Sequence, residues 1–532
     1  MKKIYSLLFL LLSAAAFSQY KFSDIDAIIA NFNKPDSPGL TVHVVKDGKV
    51  LYSKQAGMAD IENKKLINKE SVFHMASDSK QFVAASIVLL QQKGKLNFDD
   101  KLSKYFPDFP DYGQKVTIAN LLNHTSGIKD IGVLAMLKGE DAMDYHDNQV
   151  RELLKNSALD FEPGAKWSYS NSGYWFLAQI VKQVSGRHLK EFVKDNVFKP
   201  LKMKHSLFVD SRDTQFANKV KGYEEIEGKN VASTVDPYHI AGAGLYAPVE
   251  DLQKWLNEMM DQKLLGRAFW QEMLKVTTKN GYASGLTTSD FGGHKKIFHG
   301  GDNPGFHSIM GVYPTDRLSV IVIANNDNAA PKDIEKTIAA KVLGIWREDV
   351  EEAPEAMSEF TIGAETLKQY VGIYESKGSQ FLLEPLDNSL QVIQVYNDAV
   401  YDITPESQTS FGYAGLVFTF EDAVNGLAQT MVINQEGTDQ KFARVALAPN
   451  LKTEYSGSYY CKSLDVKYTL LQDGEMLKYK IADGNAQEVA VSSKDKVYTD
   501  IGIIKLKRDG SGKISGFVLS HSRASNIEFE RI

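Results

Sequence analysis

The sequence predicts an α+β head followed by two small antiparallel β-barrels, and three observations carry that expectation. Between Tyr20 and Trp346, strand-like segments stand at both ends with helix-like segments between them, the order of an α+β domain rather than a repeating βαβ chain. After an acidic stretch that begins at residue 347, the text turns to short β-rich segments with frequent turns. In that region Tyr370-Val371-Gly372-Ile373-Tyr374 recurs as Tyr455-Ser456-Gly457-Ser458-Tyr459, 85 positions later. The units also end alike, Phe442-Ala443-Arg444 returning as Phe529-Glu530-Arg531 after 87 positions. Start and end agreeing at nearly one offset marks a duplicated module.

The elements follow in order. Lys2 and Lys3 precede an apolar run, Leu7 to Leu12, and a small-residue exit, Ser13-Ala14-Ala15-Ala16-Phe17-Ser18. That is the pattern of a secretory signal peptide over residues 1–18, cut near Ser18, and too short for a span that needs ~20 apolar residues. The chain is therefore expected to be exported to the periplasm or beyond, with no integral membrane segment after cleavage. The head occupies 19–346. Leu40 to Val45 reads as a strand, Asp47-Gly48 as a tight turn and Val50-Leu51-Tyr52 as the returning strand. Gln81 to Gln92 is an apolar-rich helix stopped by Gly94, and Glu191 to Lys199 a further helix before Pro200. Leu318 to Ala324 is a buried strand and Asp333 to Trp346 the last helix. Residues 347–362 form a linker whose acids Glu348, Asp349, Glu351, Glu352 and Glu355 read as a solvated connector. The β-modules span 363–450 and 451–532, each a meander that closes to hide its edges.

Composition narrows the function classes. The chain has 532 residues, 61 Lys+Arg against 67 Asp+Glu, a net charge of −6, 43% hydrophobic and 24% charged residues. This is ordinary globular composition, and a net acidic chain gives no electrostatic footprint for nucleic acid. One cysteine, Cys461, excludes an intrachain disulfide and a thiolate metal cluster. His294, His299 and His307 have no helical spacing to align them, so no metal and no cofactor is expected.

Three local patterns could carry chemistry. In Ser77-Asp78-Ser79-Lys80 the serine and lysine stand at i and i+3, on one face of a helix that the following apolar run predicts. A serine hydroxyl needs a neighbouring proton acceptor to become a nucleophile, and a helix start favours developing negative charge. Tyr169-Ser170-Asn171 follows a Gly-containing turn and precedes a helix from about Tyr174 to Val184, so a phenol and an amide can face one cleft. A phenol beside a lysine cation is stabilised as phenolate and can take the serine proton. In His299-Gly300-Gly301-Asp302 the glycines let a substrate backbone approach a strand, and the N–H after them can complete an oxyanion hole with that of Ser77.

Taken together, Ser-x-x-Lys, Tyr-x-Asn and His-Gly-Gly resemble the serine β-lactamase and penicillin-binding-protein superfamily. The likeness is nearest to its class C β-lactamase, D-Ala-D-Ala carboxypeptidase, D-aminopeptidase and esterase branch, peptidase family S12. Leu121-Leu122-Asn123-His124-Thr125-Ser126-Gly127 and Ala241-Gly242-Ala243-Gly244-Leu245-Tyr246 are similar to segments of that family, with Ala243 where glycine is usual. The resemblance covers ~300 residues and implies a transpeptidase-like head, an antiparallel sheet flanked by helices plus an all-helical lobe. It implies Ser77 as the acylated nucleophile, Lys80 as its proton partner and Tyr169 as general base and acid. Asn171, His299, Gly300, Gly301 and Asp302 would bind substrate. His299 stands where many relatives have lysine, which weakens the hold on a substrate carboxylate and argues against efficient β-lactam hydrolysis. A head with two lipocalin-like barrels is also the layout of D-aminopeptidases, in which a barrel loop shapes specificity.

The reading is an exported serine hydrolase acting through an acyl-enzyme on amide or ester bonds of small molecules or short peptides, cell-wall peptides among them. A short-chain esterase uses the same constellation. An inactive head that captures peptidoglycan fragments is the non-enzymatic alternative, and retention of serine, lysine and tyrosine together disfavours it.

Overall fold

The computed structural model describes residues 20–345 and 362–532 except 210, 212–213, 227, 234–241, 377–378, 387–388, 395–398, 406, 414–415, 436–437, 446–452, 475, 492–494 and 522. The expected signal peptide and all but the last residue of the linker lie outside the described residues. The chain divides into two compact units.

The first unit is built on a six-stranded antiparallel sheet. Its strands are β1 (Leu40–Lys46), β2 (Lys49–Ala56), β3 (Thr287–Phe291), β4 (His294–Asn303), β5 (Phe306–Tyr313) and β6 (Leu318–Ala324). They run in the order β3-β4-β5-β6-β1-β2, so the two sequence-distant strand groups meet where β6 pairs with β1, Val42 opposite Val322. Alternation sends Leu40, Val42 and Val44 to one face, where they pack with Ile25 and Ile29 of helix α1 (Ser23–Ala30) and Ile334 and Ile338 of the last helix (Pro331–Leu343). All seven residues of β6 are buried, as in a strand covered on both faces.

On the other side lies α2 (Lys80–Gln92), buried over most of its circumference, with Phe82 against Trp255 at 4.7 Å and Phe198 at 5.4 Å. It packs against α3 (Asn171–Ser185). The helix expected from Glu191 to Lys199 lies within one continuous helical run, made of Leu189–Val193, a π-helical stretch Lys194–Phe198 and Lys199–Leu201. Among the described residues no helix is long and apolar enough to cross a membrane.

The second unit contains both β-modules. The first is a closed eight-stranded barrel between Gly372 and Arg444. The second is a nine-stranded sheet whose two ends, Gln487–Glu488 and Ala490–Val491, leave a seam, so its barrel is only nearly closed. The duplicated motif has one structural job in each. Tyr374 donates its hydroxyl to the Tyr370 carbonyl at 3.0 Å, and Tyr459 does so to Tyr455 at 2.7 Å. Arg444 reaches the carbonyls of Gln369 and Val371, both at 2.7 Å, and Arg531 reaches those of Glu454 and Ser456 at 3.0 and 2.6 Å. The middle residue is glycine because a Cβ on Gly372 would come within 2.5 Å of the Arg444 guanidinium.

Two segments from the expected head range, Lys129–Ala142 and Glu152–Asp160, belong to this second unit. Asp130 N–H donates to the Arg523 carbonyl and Tyr468 donates to the Leu137 carbonyl, both at 2.8 Å. The buried Lys129 ammonium sits on the Asp160 carboxylate and the Ser525 carbonyl. The two units part between Trp346 and Arg347, and these two segments are the pieces of the head range that pack with the second unit.

Candidate active site

Ser77 lies in a 3₁₀ turn, Ala76–Ser79, that leads directly into α2. Ala76 before it has φ +42°, a left-handed conformation that costs a non-glycine residue strain and is common at functional turns. The turn is fixed to the short strand Leu245–Ala247, whose Leu245 N–H donates to Ser79 Oγ at 2.9 Å.

Lys80, at the first turn of α2, places Nζ 3.0 Å from Ser77 Oγ and 3.2 Å from the Gly242 carbonyl. It is fully buried. A buried ammonium is tolerated only with partners, and the ring faces of Tyr169 and Tyr174, with centroids 5.0 and 5.6 Å away, complete them. The spacing of Ser77 and Lys80 and the turn before α3 thus bring three side chains to one point. Asn171, two residues on from Tyr169, is the first residue of α3.

The Tyr169 turn is held from a distance. His124 has φ +60°, is buried, accepts the Ser170 N–H at Nδ1 (3.1 Å) and lies against the Tyr169 ring at 4.2 Å. This gives the Leu-Leu-x-His segment its role. Trp167, 40% exposed, and buried Tyr282 continue the aromatic wall, 6.0 Å apart.

On β4, the carbonyl of Gly300 lies 2.7 Å from His299 Nδ1. A carbonyl can only accept, so Nδ1 carries the hydrogen and Nε2 is the acceptor for the Tyr282 hydroxyl at 3.2 Å. Burial and the Lys80 charge push the His299 pKa down to about 4, so the imidazole is neutral at pH 7. Tyr282 was not among the residues that the sequence singled out, and no local pattern marks it.

Gly301, opposite Ser308 of β5, packs directly on the turn that carries Ser77: a Cβ there would stand 2.4 Å from the Met75 carbonyl oxygen. Gly300 is less constrained, its nearest neighbour being the Ser308 carbonyl at 3.0 Å. The Asp302 carboxylate is engaged by Lys332 and His307, both at 3.0 Å, so its side chain serves the end of the β4–β5 hairpin. Among the described residues no cluster of three or more His, Cys, Asp or Glu side chains is arranged to hold a metal ion.

The hairpin end predicts a pH effect. Burial opposes charge on His307, but hydrogen bonds to Asp302 and Asp327 outweigh it and raise its pKa to about 9. A histidine raised above its unfolded value of ~6.5 contributes stability that is complete below that value. The contribution is lost as pH climbs through about 9. Thermal melts of the wild type and His307→Gln are expected to differ most near pH ~6 and to converge as pH passes ~9.

Comparison with known proteins gives consistent results. Residues 25–344 match the family model described as Beta-lactamase. Over 432 residues the chain is 26% identical to penicillin-binding protein 4* of Bacillus subtilis, covering 76% of this chain and 94% of that one. The octameric penicillin-binding protein homologue from Pyrococcus abyssi is 21% identical with a TM-score of 0.58, over 88% of this chain and 100% of that one. The D-amino acid amidase from Ochrobactrum anthropi SV3, complexed with L-phenylalanine amide, is 22% identical with a TM-score of 0.51, over 60% of this chain and 98% of that one. Those two likenesses concern the fold.

Proposed function

The chain belongs to the Beta-lactamase family and is a serine hydrolase, and from that premise we propose that it cleaves amide or ester bonds of D-amino-acid derivatives through an acyl-Ser77 intermediate. The observation that carries this reading is the 3.0 Å contact of Lys80 Nζ with Ser77 Oγ, under the face of the Tyr169 ring. Ser77 Oγ attacks the carbonyl carbon while its proton passes to the Tyr169–Lys80 pair. The tetrahedral oxyanion is held by the N–H groups of Ser77 and Asp302. Collapse breaks the bond to the leaving amine or alkoxide, which takes the proton, and leaves the Ser77 ester. Water, deprotonated by Tyr169, then releases the acid and restores the hydroxyl.

Neutral His299 supports a substrate without a carboxylate at that subsite, because it adds no positive charge where one would be bound. D-Aminoacyl amides and esters are therefore favoured over D-Ala-D-Ala peptides and β-lactams, and the two-barrel layout is in keeping with a D-aminopeptidase-like role. The Lys2-to-Ser18 pattern supports export, with short peptides outside the inner membrane as the accessible substrates.

Turnover on a D-aminoacyl anilide, a D-Ala-D-Ala peptide, a short acyl ester and a chromogenic cephalosporin tests the reading. The anilide and ester are expected to lead, the cephalosporin to trail, and mass spectrometry to place the stalled acyl group on Ser77. Turnover with no adduct on Ser77 would remove the mechanism; a leading cephalosporin would remove the substrate class.

A further inference from the structure

Asp78, between the nucleophile and Lys80, is fully buried and takes no part in the chemistry above. Ser308 Oγ lies 2.7 Å from its Oδ2, and Gln81 Nε2 lies 3.1 Å from its Oδ1. The direction of this network can be read from Trp255, whose indole N–H can only donate and meets Gln81 Oε1 at 2.8 Å. Gln81 therefore turns its NH₂ towards Asp78, and Oδ1 is an acceptor. Ser308 stands opposite Gly301 in the β4–β5 ladder, so the Asp78–Ser308 contact ties the nucleophile turn to the strand that lies across it.

We propose that Asp78 is a positioning residue: the Ser308 hydroxyl, hydrogen-bonded to its Oδ2, clamps the Gly301 strand onto the Ser77 turn, fixing the distance between the two N–H groups that receive the oxyanion. This rests on Ser77 being the nucleophile. Burial and the neighbouring Asp302 on β4 favour the protonated carboxyl, against the Ser308 and Gln81 hydrogen bonds and the Lys80 charge on α2, and its pKa is raised to about 8. β5 presents the neutral Ser308 hydroxyl, and the helix Val249–Asp261 presents Trp255, which reaches the site through Gln81. An asparagine has the shape of the protonated acid: its Oδ1 can accept from Gln81 and its NH₂ can donate to Ser308.

The test measures phosphonylation of Ser77 by a fluorophosphonate ester, with adduct mapping, and steady-state turnover of the D-aminoacyl anilide from pH ~6 to ~10. Asp78→Ala and Ser308→Ala are each expected to slow phosphonylation and kcat by ~10²-fold with KM within ~3-fold, as a displaced oxyanion hole would. Asp78→Asn is expected to keep wild-type rates at pH ~7 and to move the alkaline limb of kcat/KM upwards, because the ionisable group is gone. If Asp78→Ala fails to fold, Ser308→Ala carries the test, since it removes one oxygen and leaves the carboxyl in place. Wild-type phosphonylation rates in Asp78→Ala or Ser308→Ala, or Asp78→Asn as impaired as Asp78→Ala, would overturn the proposal. Absence of a Ser77 adduct in the wild type would instead overturn the nucleophile assignment on which it stands.

Discussion

Ser77→Ala is expected to give a folded protein that turns over none of the four substrates, with kcat lowered by ~10⁴- to 10⁶-fold. The size follows from the role: removal of the attacking atom leaves only binding and the oxyanion donors. The fold should survive. The hydroxyl belongs to a half-buried residue, and its loss leaves Lys80 with the Gly242 carbonyl and two aromatic faces. One neutral hydrogen bond of this kind is worth about 1 kcal/mol, a melting shift of a few degrees at most. Circular dichroism melts establish folding, and anilide hydrolysis with a burst assay establishes turnover. Retained turnover would direct attention to Ser79, two residues on, whose Oγ already accepts the Leu245 N–H.

What could be read from the sequence was what depends on short-range spacing. The i, i+3 relation of Ser77 and Lys80 fixes their contact once α2 forms, and the apolar run after Lys80 announces α2. β1 and β6 were legible because β-branched and apolar runs bounded by turns have few other readings. The Tyr370 and Tyr455 motifs were legible as a repeat, although their purpose, a glycine gap through which an arginine reaches carbonyls, needs the fold.

Long-range convergence was not legible. His124 stands 45 positions before Tyr169 yet lies against its ring, and Tyr282 is 17 positions before the His299 it meets. Nothing in the sequence marks Asp78 as buried, and only the fold brings it against Ser308, 230 positions away. The grouping of Lys129–Ala142 and Glu152–Asp160 with the β-modules has the same origin, since it rests on hydrogen bonds to Tyr468, Arg523 and Ser525. The open seam at Glu488 escaped notice because polar residues there break the alternation that a closing strand needs.

Gly301→Ala separates strand placement from the chemistry of the three reactive side chains. It touches none of them, yet the added methyl would stand 2.4 Å from the Met75 carbonyl oxygen, 2.6 Å from Ser308 Oγ and 3.1 Å from the Ala76 Cβ. Ser308 could rotate, but Met75 and Ala76 are fixed, because Asp78 N–H closes the turn on the Met75 carbonyl at 3.0 Å and Met75 N–H donates to Leu245 at 2.9 Å. The strand must therefore move away from the turn. Overpacking of this sort costs about 1–3 kcal/mol of stability. The kinetic loss should be larger, because a shift of β4 carries the Asp302 N–H out of reach of the oxyanion, and one lost donor costs ~10²–10³-fold in kcat. KM should change little, since the ground-state carbonyl needs that donor less than the tetrahedral intermediate does. Gly300→Ala, whose nearest neighbour lies at 3.0 Å, is the matched control and should lose less of both. Equal losses in the two variants would show that crowding along β4, and not its contact with the nucleophile turn, limits the rate.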